Sequence, residues 1–187
     1  MRDRSTTDLA SFNNDWYRPG SALRRAVWYV VNVLCFKNAL FGSSALKTGL
    51  LRLFGAKVGK GVVIKPCVNI KYPWKLRIGN HVWLGENVWI DNLDEVVLED
   101  HVCLSQGAML LCGNHDYKKP SFDLIVGPIT VKQGGWVGAQ TVVCPGVTVG
   151  SHAVLAVGST ATKDLDGYSI YQGNPAQKVK DRVIDPA

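Results

Sequence analysis

Four histidines are the side chains of this 187-residue chain whose charge changes near neutral pH, and one of them stands apart. His81, His101 and His152 occupy the settings I-G-N-H-V, L-E-D-H-V and V-G-S-H-A, each three residues after an aliphatic one. That shared setting reads as a solvated corner where any polar residue serves. His115 lies in G-N-H-D-Y, outside the pattern. An imidazole there is suited to general-base work, taking a proton from an attacking group as it reacts. Asp116, next in sequence, is a candidate for fixing its tautomer; the plainer reading of His115 is a loop histidine bonded to backbone. Cys35, Cys67, Cys103, Cys112 and Cys144 include no C-x-x-C pair and read as small buried thiols rather than a zinc site.

What must hold these side chains is a repeat. An aliphatic residue recurs every six positions at Val131, Val137, Val143, Val149 and Leu155, followed by Ala161. Four residues after each aliphatic comes a small or β-branched one: Gly135, Thr141, Val147, Ala153, Ser159. Earlier pairs keep the register, among them Ile64/Val68, Ile78/Val82, Leu84/Val88, Leu98/Val102 and Leu104/Ala108. A six-residue period matches neither a helix nor an alternating strand. It matches a short strand followed by a tight turn. Three such units make a triangular coil, with the aliphatic residue stacked inward on its equivalent one coil away. The expected class is mainly β, a parallel β-helix.

The register breaks in three places. It slips by two from Ile70 to Ile78, around Tyr72-Pro73-Trp74, and again from Ile90 to Leu98, around Asp91 to Glu95. Leu110 to Val131 is 21 residues, read as one coil plus three, with the excess in residues 112–128. A loop thrown out of a rigid solenoid is where function concentrates, and His115 lies in it. Residues 1–55 do not repeat. Leu23, Val27, Val30, Val31 and Leu34 have helical spacing, as do Leu40, Leu46, Leu50, Leu51 and Leu53. One or two helices are therefore expected to cap the first coil. The expected division is a helical cap over 1–55, the β-helix over 56–164, and a tail over 165–187 ending in a short basic helix.

Hydrophobic content of 47% and charged content of 19% describe a globular chain. A net charge of +6 permits anionic partners, but Lys and Arg are scattered and no nucleic-acid motif is present, so nucleic acid is not an expected partner. Met1 to Asp15 is polar and carries no secretory signal, and the near-apolar run 26–36 is too short to span a bilayer. Together with an odd number of cysteines this points to the cytoplasm. Basic and aromatic residues among the aliphatics of 20–55 suggest peripheral contact at the inner membrane face, against the plainer reading of a cap that touches no lipid.

The repeats, the loop G-N-H-D-Y, the stretch G-G-W-V-G-A-Q, the run G-S-T-A-T-K-D and the ending Q-G-N-P-A together resemble the hexapeptide-repeat acyltransferases. The resemblance is greatest to the colanic acid biosynthesis O-acetyltransferases and covers about residues 58–180. It implies a left-handed parallel β-helix and a homotrimer with sites in the clefts between subunits. It also implies acetyl-CoA as co-substrate, with no metal required. His115 matches the family's base, Trp136 the tryptophan lining the coenzyme cleft, and the Ala139 amide the donor to the thioester oxygen. Further coenzyme contacts match Val157, Gly158, Ser159, Thr162 and Lys163. Phosphate contacts fall on Lys178 or Lys180, since Gln177 stands where relatives often carry a basic residue. Asp91, Asn92 and Asp116 are the candidates on the acceptor side. The implied reaction is acetyl transfer to a sugar hydroxyl, on a sugar or a lipid-linked oligosaccharide, in colanic-acid-like exopolysaccharide synthesis. N-acetylation of an amino sugar competes with it, because an amine must lose a proton too. A metal hydratase of the γ-carbonic-anhydrase kind would need three converging histidines. A non-catalytic scaffold is the remaining alternative.

Overall fold

The computed structural model describes residues 6–186. Strands of mostly two or three residues form three parallel sheets, which are the faces of a triangular prism. The first face contains β1 (Lys57–Val58), β4 (Leu76–Ile78), β7 (Val96–Leu98), β12 (Ile129–Val131) and β15 (Thr148–Val149). The second contains β2 (Val63–Ile64), β5 (Trp83–Leu84), β8 (Cys103–Leu104), β13 (Trp136–Val137), β16 (Val154–Leu155) and β18 (Ser169–Gly173). The third contains β3 (Asn69–Ile70), β6 (Trp89–Asp91), β9 (Met109–Leu111), β14 (Val142–Val143) and β17 (Thr160–Ala161). Each coil visits the three faces in turn, so the six-residue period becomes one strand and one corner.

The periodic residues are the core. Val131, Val137, Val143, Val149 and Leu155 are shut off from solvent, and Gly135, Thr141, Val147, Ala153 and Ser159 are buried beside them. Corners demand special backbone. Gly61, His81, His101, Gly134 and His152 share one corner column with φ between +56° and +67°. That left-handed conformation is rare outside glycine and somewhat enriched in histidine. The position therefore selects for backbone tolerance rather than for any polar side chain. His81 and His101 stack there at 5.2 Å between ring centroids. Gly138 follows Val137 because a Cβ at that site would lie 2.6 Å from the Leu155 carbonyl of the next coil.

Both two-residue slips fall at the corner between the third and first faces. Lys57 pairs with Arg77 and Arg77 with Val97, whereas Thr130 pairs directly with Thr148. The extra residues form a 3-10 turn at Pro73–Lys75 and a buried corner at Asn92. The third interruption is not a coil plus three residues. β9 leads straight to β12 within a single coil, and everything between leaves the same corner as an antiparallel hairpin. A hairpin satisfies its own backbone, so it can leave the solenoid without breaking the stack.

Helix α1 (Ala22–Val31), continued by a π-turn over Asn32–Phe36, and α2 (Ser44–Leu53) lie across the open end. Ser21 and Ser43 cap them, accepting from Arg24 N–H and Leu46 N–H. Trp28, Asn32 and Phe36, four residues apart, turn inward with Leu51. Trp28 Nε1 donates to the Ile70 carbonyl at 2.8 Å, tying the cap to the first coil. Lys47 is buried and donates to the Lys65 carbonyl at 2.8 Å; burial pulls its pKa below the ordinary lysine value.

The tail is not helical. β18 joins the second face, and β19 (Ala176–Asp181) folds back on it antiparallel. The last coil has an open sheet edge there, and a strand pairing with that edge satisfies its polar groups, which a helix could not do.

Candidate active site

The hairpin at the third-to-first corner is built from β10 (Gly113–His115) and β11 (Leu124–Val126). Its tip is held by its own side chains. Lys119 and Ser121 both donate to the Asp123 carboxylate, at 2.9 and 2.7 Å, and hold its pKa below the usual range. The N-terminal strap reaches the hairpin as well, through Asp8 N–H to the Pro120 carbonyl at 2.8 Å.

His115 is half-buried at the end of β10. Its Nδ1 lies 2.8 Å from the Phe122 carbonyl oxygen. A carbonyl can only accept, so Nδ1 carries the proton and Nε2 keeps a lone pair. The Phe122 ring stacks on the imidazole at 4.5 Å and 8°, and Phe12 packs against it at 5.8 Å. An imidazole fixed in this tautomer can accept a proton at Nε2 and return it. Asp116 is not the orienting group. The imidazole Nδ1 is taken by the Phe122 carbonyl, and one Asp116 carboxylate oxygen accepts instead from Lys118 N–H at 3.1 Å. Sequence reasoning missed Phe12 and Phe122: one lies in a polar segment without periodicity, the other acts through its carbonyl, and neither leaves a pattern.

Nearby Cys112 is buried and its thiol is pushed up to about 12, chiefly by desolvation, so it is no nucleophile near neutral pH. On the acceptor side the two candidates separate. Asn92 is fully buried, and its amide is spent on Tyr72, accepting from N–H at 2.9 Å and donating to C=O at 2.6 Å. It is a corner staple. Asp91 stays half-buried in an ion pair with Lys71 at 2.8 Å and lines a cleft of about 530 Å³ with Arg25, Tyr29, Tyr72 and Trp89.

Most of the residues matched to the coenzyme lie elsewhere on the prism, whereas Thr162 and Lys163 follow β17 at the corner from which the hairpin leaves, two coils on. Trp136 stands out from the second face, 46% exposed, with Nε1 donating to Ser105 Oγ at 2.9 Å. Ala139 follows at the next corner. Its carbonyl accepts from Gly158 N–H at 2.9 Å, while its own N–H has no partner among the described residues. Val157 and Gly158 are exposed one coil on, and Thr162 and Lys163 are exposed after β17. Ser159 is not presented: it is buried, and its hydroxyl accepts from Gly173 N–H at 3.0 Å. Lys178 and Lys180 are exposed on β19, and Lys178 pairs with Asp181 at 2.7 Å. The hairpin leaves the corner opposite the second face, so one chain does not bring His115 and Trp136 together.

No family model matches the chain. The Escherichia coli (strain K12) protein described as "putative colanic acid biosynthesis acetyltransferase WcaF" is 36% identical over 177 residues, 94% of this chain and 97% of that one. The galactoside O-acetyltransferase of Escherichia coli (strain K12) is 25% identical over 138 residues, 72% of this chain and 68% of that one. Among solved structures, the hexapeptide-repeat acetyltransferase VCA0836 of Vibrio cholerae O1 biovar eltor, complexed with acetyl coenzyme A, superposes with a TM-score of 0.78. That match has 22% identity and covers 88% of this chain and 91% of that one. Galactoside acetyltransferase in complex with coenzyme A superposes with a TM-score of 0.75 at 24% identity, covering 85% and 80%. The fold is thus the left-handed β-helix of the hexapeptide-repeat acetyltransferases. The chain belongs to the colanic acid biosynthesis acetyltransferase family.

Proposed function

We propose that this protein transfers acetyl from acetyl-CoA to a sugar hydroxyl during exopolysaccharide synthesis, with His115 as general base. The observation that carries the reading is the tautomer: Nδ1 donates to the Phe122 carbonyl and leaves Nε2 free to accept. His115 takes the hydroxyl proton as that oxygen attacks the thioester carbonyl, forming the new C–O bond. The unpartnered Ala139 N–H is a donor for the developing oxyanion, a role worth a few kcal/mol in acyl transfer, about 3 where measured. As the C–S bond breaks, the imidazolium returns its proton to the leaving thiolate. The Trp136 ring gives the coenzyme arm an apolar wall. Val157 and Gly158 extend that wall at the corner after the second face, Thr162 lies at the hairpin's own corner two coils on, and buried Ser159 serves the tail hairpin. On the acceptor side we favour Asp91 over Asn92, since only Asp91 has a side chain open to a cleft.

His115 and Trp136 sit on opposite sides of the prism, so the reading requires a second copy whose second face meets this hairpin. Such a heterologous contact closes into a ring, and three copies of a triangular prism do so most simply. The test of the function is thiol release from acetyl-CoA in the presence of free sugars, nucleotide sugars, lipid-linked oligosaccharides and amino sugars. Release with hydroxyl acceptors and not amines is expected. Release with amines alone would replace the reading by N-acetylation.

Two smaller effects follow. Phe12→Ala, which strips one wall from the imidazole, should lower kcat/KM by about three- to tenfold without moving the melting temperature. Unchanged kinetics would leave Phe12 with no part in the site. Lys163, Lys178 and Lys180 should assist binding of the phosphate-rich coenzyme, so KM for acetyl-CoA should rise with salt. Replacing all three by Gln should raise KM several-fold, on the order of the screened attraction itself, and flatten that salt dependence. A KM indifferent to both would show these lysines to be merely solvated.

A further inference from the structure

The helical cap hides one face and leaves another bare. Trp28, Asn32 and Phe36 point into the solenoid, but Leu23, Val27, Val30 and Leu34 form a second stripe on α1 and its π-turn that meets only solvent. Leu23 is 75% exposed. On α2, Leu46 and Leu53 lie outside as well, and Leu40 in the connection is 95% exposed. Isolated exposed leucines are ordinary, but an apolar stripe that runs along one helix from Leu23 to Leu34 marks a surface with a partner.

Charge says which partner. From Trp16 to Gly85 the chain holds twelve Lys and Arg and not one Asp or Glu. The rest of the chain holds nine Lys and Arg against fifteen Asp and Glu. The molecule is therefore polarised along its axis, with the cap and first coil strongly basic. Arg25, Lys37, Arg52, Lys57, Lys60 and Lys65 are exposed there. A second copy brought cap to cap would meet like charge without a compensating acidic group. An anionic surface would gain from the same charges while taking up the apolar stripe.

We propose that the capped end of the solenoid docks on an anionic lipid bilayer, lying in the headgroup layer with Leu23, Val27, Val30, Leu34, Leu46 and Leu53 as the inserted side chains. No helix of the described residues is long and apolar enough to cross a membrane, so attachment is interfacial. The docking is independent of the acetyl-transfer reading, since none of the inserted residues belongs to that site.

The experiment is co-sedimentation of the full chain with phosphatidylglycerol-containing vesicles and with pure phosphatidylcholine vesicles, over a salt series. The variant carries Leu23→Gln, Val27→Gln and Val30→Gln, all at exposed helical positions, with its melting temperature measured beside the parent. The intact chain should pellet with anionic vesicles at low salt, be released as salt rises, and stay in the supernatant with phosphatidylcholine. The variant should lose at least about tenfold in bound fraction while releasing thiol from acetyl-CoA as before. The proposal is overturned if the intact chain stays in the supernatant with anionic vesicles at low salt, or if the folded variant pellets equally well. It is also overturned if the variant sediments as a smaller assembly than the parent without lipid, because the stripe then belongs between copies.

Discussion

His115→Ala is expected to lower turnover with acetyl-CoA by a factor on the order of 10² to 10⁴, the range spanned by loss of a positioned general base. The fold should survive. His115 lies on a hairpin outside the stacked core, and no buried polar group depends on its ring except the Phe122 carbonyl, which water can reach at this half-buried site. His115→Asn sharpens the comparison, since it keeps a donor toward that carbonyl and loses only the acceptor at Nε2. Both variants should melt like the parent and both should be inactive. Near-normal turnover in either would remove His115 from the chemistry. His101→Asn, at a corner with φ +60°, should cost little, because asparagine tolerates that backbone and the position touches no part of the site.

Mixing two inactive variants should restore activity. If the hairpin of one copy works against the second face of the next, His115→Ala damages one side of each site and Trp136→Arg the other. Trp136 is exposed, so the arginine blocks the cleft without disturbing the core. Rings reassembled from equal amounts of both chains should then contain intact sites wherever a Trp136→Arg hairpin meets a His115→Ala face. Random assortment places that pairing at about one site in four. Recovery near that fraction after co-refolding or co-expression, and none on mixing assembled rings, is the expected result. No recovery under any mixing, with both variants folded and of parental size, would place each site within a single chain.

The cap shows where sequence and structure part company. Leu23, Val27, Val30 and Leu34 have helical spacing, and α1 is indeed a helix, but the spacing alone suggested that this stripe covers the first coil. The structure buries Trp28, Asn32 and Phe36 instead. An amphipathic pattern specifies a helix and not which of two usable faces turns inward. Here Trp28 Nε1 and the Asn32 amide settle it by meeting backbone and side chain of the first coil. The basic tail reads the same way. Local composition allowed a helix, but the unpaired edge of β18 drew residues 176–181 into a strand.

What the sequence by itself determined is the solenoid. A six-residue period admits one architecture, because each inward residue must stack on its equivalent and each corner must turn. Its interruption also singled out the loop that holds His115. Only the tertiary structure decided what each loop and corner residue does there. Asn92 and Ser159 looked available by type and position, and each is spent on a backbone group brought to it by a residue twenty or fourteen positions away. Phe122 and Phe12 looked like nothing, and they hold the imidazole. Periodicity is written into the chain one residue at a time. Hydrogen-bond partnership belongs to pairs that meet only once the coil has closed, and no spacing rule announces it.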